Sequence, residues 1–363
     1  MMGHPTTDHQ SPTTNHQPPT TVGDLTESEL IARVSARLPS SPDWMVVGIG
    51  DDAAVVEPER NRLEVLSVDA LVEGVHFDRR FTPPAAIGHR ALAVNLSDLA
   101  AMGATPRLAL LSLALPADLP LAEFDQMIAE LTALAGRYGV VIAGGNMTRI
   151  AGPLVFDVTI VGTVKRRRAL TRGGARPGDA LYVTGSIGAA AAGLQMLQAA
   201  QAATCSGDSP QRPAQSIAPA AASCVNRYLY PEPRIRMGSL LGRNRAATAC
   251  MDLSDGLADA VRQIAGASGV GATIDADALP IDPDARDWFQ RHGLDAIAES
   301  IAAGDDYELL IAATPRSRGR LAAAVRHGDA PLTRIGSCTA DPALILRRTG
   351  SDMPLPRGYT HFR

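Results

Sequence analysis

Lysine is almost absent from this chain. Of 363 residues, 34 are Lys or Arg, and only Lys165 is a lysine. A P-loop needs GxxxxGK[ST] and a protein kinase needs a strand lysine. Neither motif occurs, so a nucleotide handled here must have its phosphates neutralised by arginines and metal ions. Cysteine is scarce as well: Cys205, Cys224, Cys250 and Cys338 lie far apart with no CxxC pair. That argues against a zinc site or a disulfide framework and fits a reduced, cytoplasmic protein. No apolar run approaches the ~18–20 residues that span a bilayer. The N-terminus has neither a basic segment nor an apolar core, so no secretory signal is expected. A basic excess is also missing. The 34 cationic residues face 38 acidic ones, a net charge of −4, which argues against a nucleic-acid coat or an anionic-membrane binder.

What is present reads as a globular enzyme of two domains. Hydrophobic residues make up 45% and charged residues 20%, ordinary for a soluble fold, and the length exceeds a prior of about 150 residues per domain. Residues 1–24 are Pro/Thr/His/Gln-rich without period and are expected to be a disordered tail. A helix follows, with Leu30, Ile31, Val34 and Leu38 at helical spacing. Strands are expected at Ala54–Val56 and at Leu63–Val68, the latter ending at Asp69. Then come a helix over Pro84–Met102, a strand over Leu108–Leu115, a helix over Leu121–Tyr138, a short strand over Val140–Ala143 and a strand over Leu154–Val164. This ββαβαββ order implies one layered α/β domain over 25–166. Turn chemistry at 172–179 marks the boundary. A second α/β domain then occupies 173–363, with a low-complexity surface insertion at 200–222. Gly185 and Gly188 precede an Ala-rich helix and read as a strand-to-helix turn without ligand. The KRRR run at 165–168 reads as a solvated linker.

Acidic residues gather at strand ends and glycine turns, in GIGDD (48–52), SVD (67–69), NLSDL (95–99), DLSDG (252–256) and GDDYE (304–308). Each alone has a bland explanation as an N-cap or Asx-turn. Five in one chain, with no lysines to offset them, would repel one another unless a hard cation bound them. Mg²⁺ takes one or two carboxylates plus waters and substrate phosphates, so the pattern points to Mg²⁺-dependent phosphate chemistry.

Longer segments carry more information. GIGDDAAVV (48–56), SVDALVEGVHF (67–77), ALAVNLSDLAAMGATP (91–106), LTRGGARPGD (170–179), MDLSDGLADA (251–260), GDDYELL (304–310) and GYTHF (358–362) resemble the thiamine-monophosphate kinase family. That family sits in a superfamily with aminoimidazole ribonucleotide synthetase and selenophosphate synthetase. The resemblance runs from about residue 25 to the C-terminus in unbroken motif order. It implies a two-domain synthetase-like fold, a homodimer paired through the N-terminal sheets, and transfer of the ATP γ-phosphoryl group to thiamine monophosphate with Mg²⁺. The acceptor is a phosphate oxygen already anionic at pH 7, so no general base is expected.

Carried over residue by residue, the resemblance puts Asp52, Ser67, Val68 (through its carbonyl), Asp69, Asp98, Asn146, Asp252 and Asp255 on metal-binding positions. Gly145, Asn146, Arg172 and Ser254 fall on ATP-binding positions, and His76, Asp305 and Tyr359 on substrate-binding positions. An arginine fork at Arg172 is the natural phosphate clamp where lysines are missing. Two residues depart from the family pattern. Asn146 stands where an aspartate is common, and Asp305 where a glutamate is usual. Three readings stay open: an active thiamine-monophosphate kinase, another ATP-using enzyme of the superfamily, or a non-catalytic nucleotide-binding paralogue. The N-terminus lacks the cysteine expected of selenophosphate synthetase, and the C-terminus lacks the cysteine motif of the hydrogenase-maturation relative.

Overall fold

The computed structural model describes residues 20–204 and 222–358. In the first domain the chain runs α1 (Glu27–Ser35), β1 (Met45–Val47), β2 (Val55–Val56), β3 (Arg62–Val72), α2 (Pro84–Ala101), β4 (Thr105–Pro116), α3 (Leu121–Tyr138), β5 (Val141–Ile150) and β6 (Val155–Lys165). The last four strands form one sheet in the order β3-β6-β4-β5. Its inner face packs on α2 and α3, where Leu92, Leu96, Phe124 and Met127 meet Leu113, Phe156 and Ile160. The outer face is partly covered by the β1–β2 ribbon, whose Met45 packs on Leu108 and Ala143.

Helix α2 has no polar face. Every residue in it is buried except Ala85 and Asp98. A helix buried on every side lies inside the molecule, and α2 does so by packing on the sheet and α3 on one side and on α6 (Ile235–Asn244) and β8 (Ala249–Asp252) of the second domain on the other. The second domain runs β7 (Ala180–Thr184), α4 (Ala189–Thr204), α5 (Ala222–Leu229), α6 (Ile235–Asn244), β8 (Ala249–Asp252), α7 (Leu257–Ser268), β9 (Gly271–Asp275), α8 (Pro283–Arg291), α9 (Ala296–Ala302), β10 (Leu309–Ala313), α10 (Arg318–His327), β11 (Leu332–Thr339), β12 (Leu344–Arg348) and β13 (Ser351–Pro354). Its sheet has the order β13-β12-β9-β11-β7-β10-β8.

Three expectations change. The chain is tied down earlier than residue 25. Thr21 bridges to Pro120, and Val22 is buried in the first core, so the expected tail is shorter by at least residues 20–24. Strand β3 continues past Asp69 to Val72, and β5 continues past Ala143 to Ile150. The second extension was hidden because Gly144, Gly145 and Asn146 lie on an edge strand and show no apolar alternation. Of the insertion expected at 200–222, residues 200–204 complete α4 and Ala222 opens α5, while 205–221 lie outside the described residues. No helix among the described residues is long and apolar enough to cross a membrane.

Candidate active site

The site is assembled around the C-terminal half of α2. Asp98, near that helix's end and not buried, accepts a hydrogen bond from Ser67 Oγ of β3. Ser67 and Asp69 share the inner side of β3, two residues apart, so Asp69 lies beside Asp98. Ser97 reaches across to the second domain, where its Oγ donates to Asp252 Oδ2 at 2.7 Å. Asp252 ends β8 and is buried.

Two loops of the second domain interlock next to it. Asp305 N donates to the Ser254 carbonyl at 2.8 Å, and Tyr307 N to the Leu253 carbonyl at 3.3 Å. Only glycine fits at 304, because a Cβ there would lie 2.1 Å from the Ser254 carbonyl oxygen. Asp305 Oδ1 accepts from both Arg90 Nη2 and the Tyr307 hydroxyl, each at 3.1 Å. On the first-domain side the Val72 amide donates to His76 Nδ1 at 3.1 Å, which leaves Nε2 as the protonated ring nitrogen. Together these groups line one cleft of about 1310 Å³ between the domains, shared by Asp69, His76, Asp98, Arg172, Asp252, Ser254, Asp255 and Asp305. Arg172 is also bonded to Gln263 Oε1 at 2.9 Å.

The charge in the cleft is uneven. Burial, helped by the negative charges of Asp98 and Asp252, pushes the Asp69 carboxyl up to about 7. Burial and the neighbouring Asp98 likewise push Asp252 up to about 7, against the Ser97 hydrogen bond and the Arg172 charge. Carboxylates this close hold protons unless a cation replaces them. The donors are all oxygens: four carboxylates plus the Ser67 hydroxyl. Cys224, Cys250 and Cys338 are buried elsewhere. Such hard donors fit Mg²⁺ rather than zinc. No group of three or more such side chains closes into a ready-made metal cage among the described residues. An open, oxygen-lined cluster suits an ion that takes the rest of its shell from water and phosphate.

Other expected site residues lie apart from this cleft. Asp52 is exposed between β1 and β2, and Gly145 and Asn146 are exposed on edge strand β5. Asn146 pairs in register with Ser112, Ser112 with Asp157, and Asp157 with Ala70, so Asn146 shares the sheet's outer face, opposite Asp69. The Val68 side chain is on that outer face too, while its carbonyl sits on edge strand β3. Tyr359 lies outside the described residues. The Gly185–Gly188 turn binds a carboxylate of the protein itself: Asp306 accepts the Gly188 amide at 2.7 Å and the Ala190 amide at 3.2 Å.

Sequence reasoning missed two residues here. Arg90 is buried, and its sequence neighbourhood carries no local mark of that. Glu308 of the GDDYE segment is fully buried and holds Arg227 Nη2 at 2.7 Å, Arg234 Nε at 2.7 Å and Thr184 Oγ1 at 2.6 Å.

Residues 50–164 match the family AIR synthase related protein, N-terminal domain, and residues 176–348 match AIR synthase related protein, C-terminal domain. The chain is 40% identical to a thiamine-monophosphate kinase of Escherichia coli O157:H7 over 341 residues, 93% of this chain and 98% of the relative. The chain belongs to the thiamine-monophosphate kinase family. The crystal structure of the family member from Stenotrophomonas maltophilia K279a is 36% identical, with a TM-score of 0.76 over 89% of this chain and 96% of that one. AaThiL complexed with AMPPCP and TMP is 29% identical, with a TM-score of 0.70 over 93% of this chain and 98% of that one. The hydrogenase maturation protein HypE in complex with ATP reaches a TM-score of 0.73 at only 19% identity, over 92% of this chain and 95% of that one. That likeness shows the fold alone.

Proposed function

We infer that the protein transfers the γ-phosphoryl group of ATP to thiamine monophosphate, giving thiamine diphosphate. The observation that carries this is one cleft in which carboxylates and Arg172 meet His76 and Asp305, in a chain 40% identical to a thiamine-monophosphate kinase. A relative of the same family, AaThiL, binds AMPPCP and TMP. Asp69, Asp98, Asp252 and Asp255, with the Ser67 hydroxyl, would hold Mg²⁺, which when bound would supply positive charge against the repulsion between the phosphates. The Val68 carbonyl belongs to the same proposed set. Arg172 and Ser254 receive the nucleotide, and Arg172 clamps phosphate with its planar fork. His76 offers Nε2–H to the acceptor, and Asp305 an oxygen. Tyr359 completes the acceptor side.

The acceptor oxygen is already an anion at pH 7, so the residues need not remove a proton. Their task is to align two polyanions that repel by several kcal/mol at ~4 Å and an effective dielectric near 20. The interlocked 252–256 and 304–307 loops and the rigid helix α2 provide that alignment. We further propose a first domain that ends at 166 and starts ahead of residue 25, with the second over 173–363, a cytoplasmic enzyme on the basis of its few, scattered cysteines, and a homodimer through the outer face of the first sheet. Asp52 and Asn146 would then act at the interface side of that sheet, and Gly145 through its backbone on edge strand β5. The deciding assay is purified protein with ATP, Mg²⁺ and thiamine monophosphate, with free thiamine as the control acceptor. Thiamine diphosphate formed from the monophosphate alone is expected. No product at any Mg²⁺ concentration would favour a non-catalytic nucleotide-binding paralogue.

A further inference from the structure

Arg90 is the bulkiest fully buried side chain among the described residues, 1% exposed. It lies on α2, eight residues before Asp98. Its Nη1 donates to the Tyr228 carbonyl at 2.5 Å and its Nη2 to Asp305 Oδ1 at 3.1 Å. Its guanidinium carbon stands 4.5 Å from the Tyr228 ring centroid, while Nε finds no acceptor among the described residues. A buried charge with an unsatisfied donor is a poor stability device, since a buried ion pair often contributes less than apolar residues of the same volume. What it does is hold one carboxylate oxygen. Oδ1 of Asp305 takes both Arg90 and the Tyr307 hydroxyl, and Oδ2 receives no hydrogen bond from the described residues. Burial keeps the Tyr307 phenol protonated, so it stays a donor. The backbone is held just as firmly. Asp305 and Tyr307 adopt φ of +70° and +49°, left-handed values that non-glycine residues keep only where surrounding contacts over-determine them.

The geometry points to Arg90 as a positioning residue that fixes the Asp305 carboxylate through Oδ1 so that Oδ2 faces the phosphate acceptor. This rests on the reading of Asp305 as an acceptor-binding residue. An oxygen that only accepts suits an amine N–H or a cationic ring, and thiamine monophosphate carries both. Because Arg90 and Asp98 share one helix, about 12 Å of rigid rod also sets the spacing between the acceptor anchor and the carboxylate cluster.

The test measures kcat and both KM values for Arg90→Met and Arg90→Lys, each in the native chain and in Asp305→Asn. Arg90→Met should raise the thiamine monophosphate KM about tenfold and leave the ATP KM within about twofold, the loss expected for one hydrogen bond to a charged group. Arg90→Lys keeps the buried charge and one donor, so it should fold and give an intermediate KM even if Arg90→Met does not fold. In the Asp305→Asn background, either Arg90 substitution should add less than about twofold. Both KM values rising together, kcat falling at unchanged acceptor KM, or an Arg90 effect that persists in full without the Asp305 charge would overturn the assignment. If Asp305→Asn itself leaves the acceptor KM unchanged, the reading of Asp305 fails and takes this one with it. If Asp305→Asn raises that KM and the Arg90 variants do not, only the role of Arg90 fails.

Discussion

At the scale of single residues the cleft is a set of carboxylates at a cost. Asp69 and Asp252 keep their protons up to about 7 in the folded protein, whereas unfolded aspartates release theirs near 4. Between those values the folded state binds more protons than the unfolded one. The metal-free protein therefore loses stability as pH rises from about 4 to 7 and carries the full deficit above 7. Asp306, pushed up to about 7 by burial, adds a slope of the same sign that no ion in the cleft relieves. Mg²⁺ should thus raise the melting temperature more at pH 8 than at pH 6, with a weaker metal-independent slope remaining. A Mg²⁺ shift equal at both pH values would show that the cluster does not hold the ion. Asp98→Asn separates a metal ligand from a mere packing partner of Ser67 by a different readout. Asp98 lies in the last turn of α2, where a carboxylate caps nothing, and removing one of several crowded anions should leave the metal-free protein as stable or more so while turnover is lost. An Asp98→Asn variant that melts earlier and keeps its rate would confine Asp98 to its hydrogen bond with Ser67. These carboxylates were legible because acids in glycine turns stand out from apolar strands. Arg90 was not, because nothing local distinguishes a buried arginine from a solvated one.

At the scale of elements, the long regular pieces followed from their periodicity and the short polar ones did not. Helix α3 begins and ends where its apolar stripe does, closed by Gly139 in the left-handed conformation. Helices α8, α9 and α10 are short and rich in alanine, aspartate or arginine, so no stripe announced them. Their caps are real nonetheless: Asp282 and Asp295 accept amides from the first turns of α8 and α9. Glu308 is the element-scale counterpart of Arg90, tying α5 and α6 to β7 through Arg227, Arg234 and Thr184. Glu308→Ala strands two guanidinium groups, and breaking a buried pair costs about 3–5 kcal/mol, so urea denaturation should show a loss of that size. A loss under about 1 kcal/mol would mean that water replaces the carboxylate. The first described residues give a second measurement. Val22 is 4% exposed in the core beside Leu119 and Phe124. A chain starting at residue 25 should be less stable than one starting at residue 20 by about 1.5–3 kcal/mol, the value of burying one such side chain. Equal melting of the two would make that contact dispensable.

At the scale of the whole molecule, the first sheet is unbalanced. Its inner face is sealed by α2 and α3, but its outer face leaves Leu66 66%, Val68 58% and Leu110 38% exposed. Val46 and Val55 of the adjoining ribbon are exposed as well. A strand that is apolar on both faces, rather than alternating, is the mark of a sheet covered on both sides. The same outer face carries Asn146, whose Nδ2 donates to Thr148 Oγ1 at 2.9 Å along the strand. Sitting across the sheet from Asp69, Asn146 has no route through the sheet to the cleft of its own chain. If it serves phosphoryl transfer, it does so where two copies meet. A stable dimer buries about 800 Å² per partner, and a single acid in the middle of that area would have to be desolvated without a partner. Leu66→Asp should therefore give a monomer by sedimentation. Because residue 66 points away from the inner core, the monomer should keep its circular dichroism spectrum. Its rate should fall by more than about tenfold although the carboxylates, Arg172, His76 and Asp305 are all intact, since positioning lost at an interface costs rate on that order. A Leu66→Asp monomer with full activity would confine Asn146 to packing and leave the site wholly within one chain. A dimer that survives the substitution would place the contact elsewhere on the molecule.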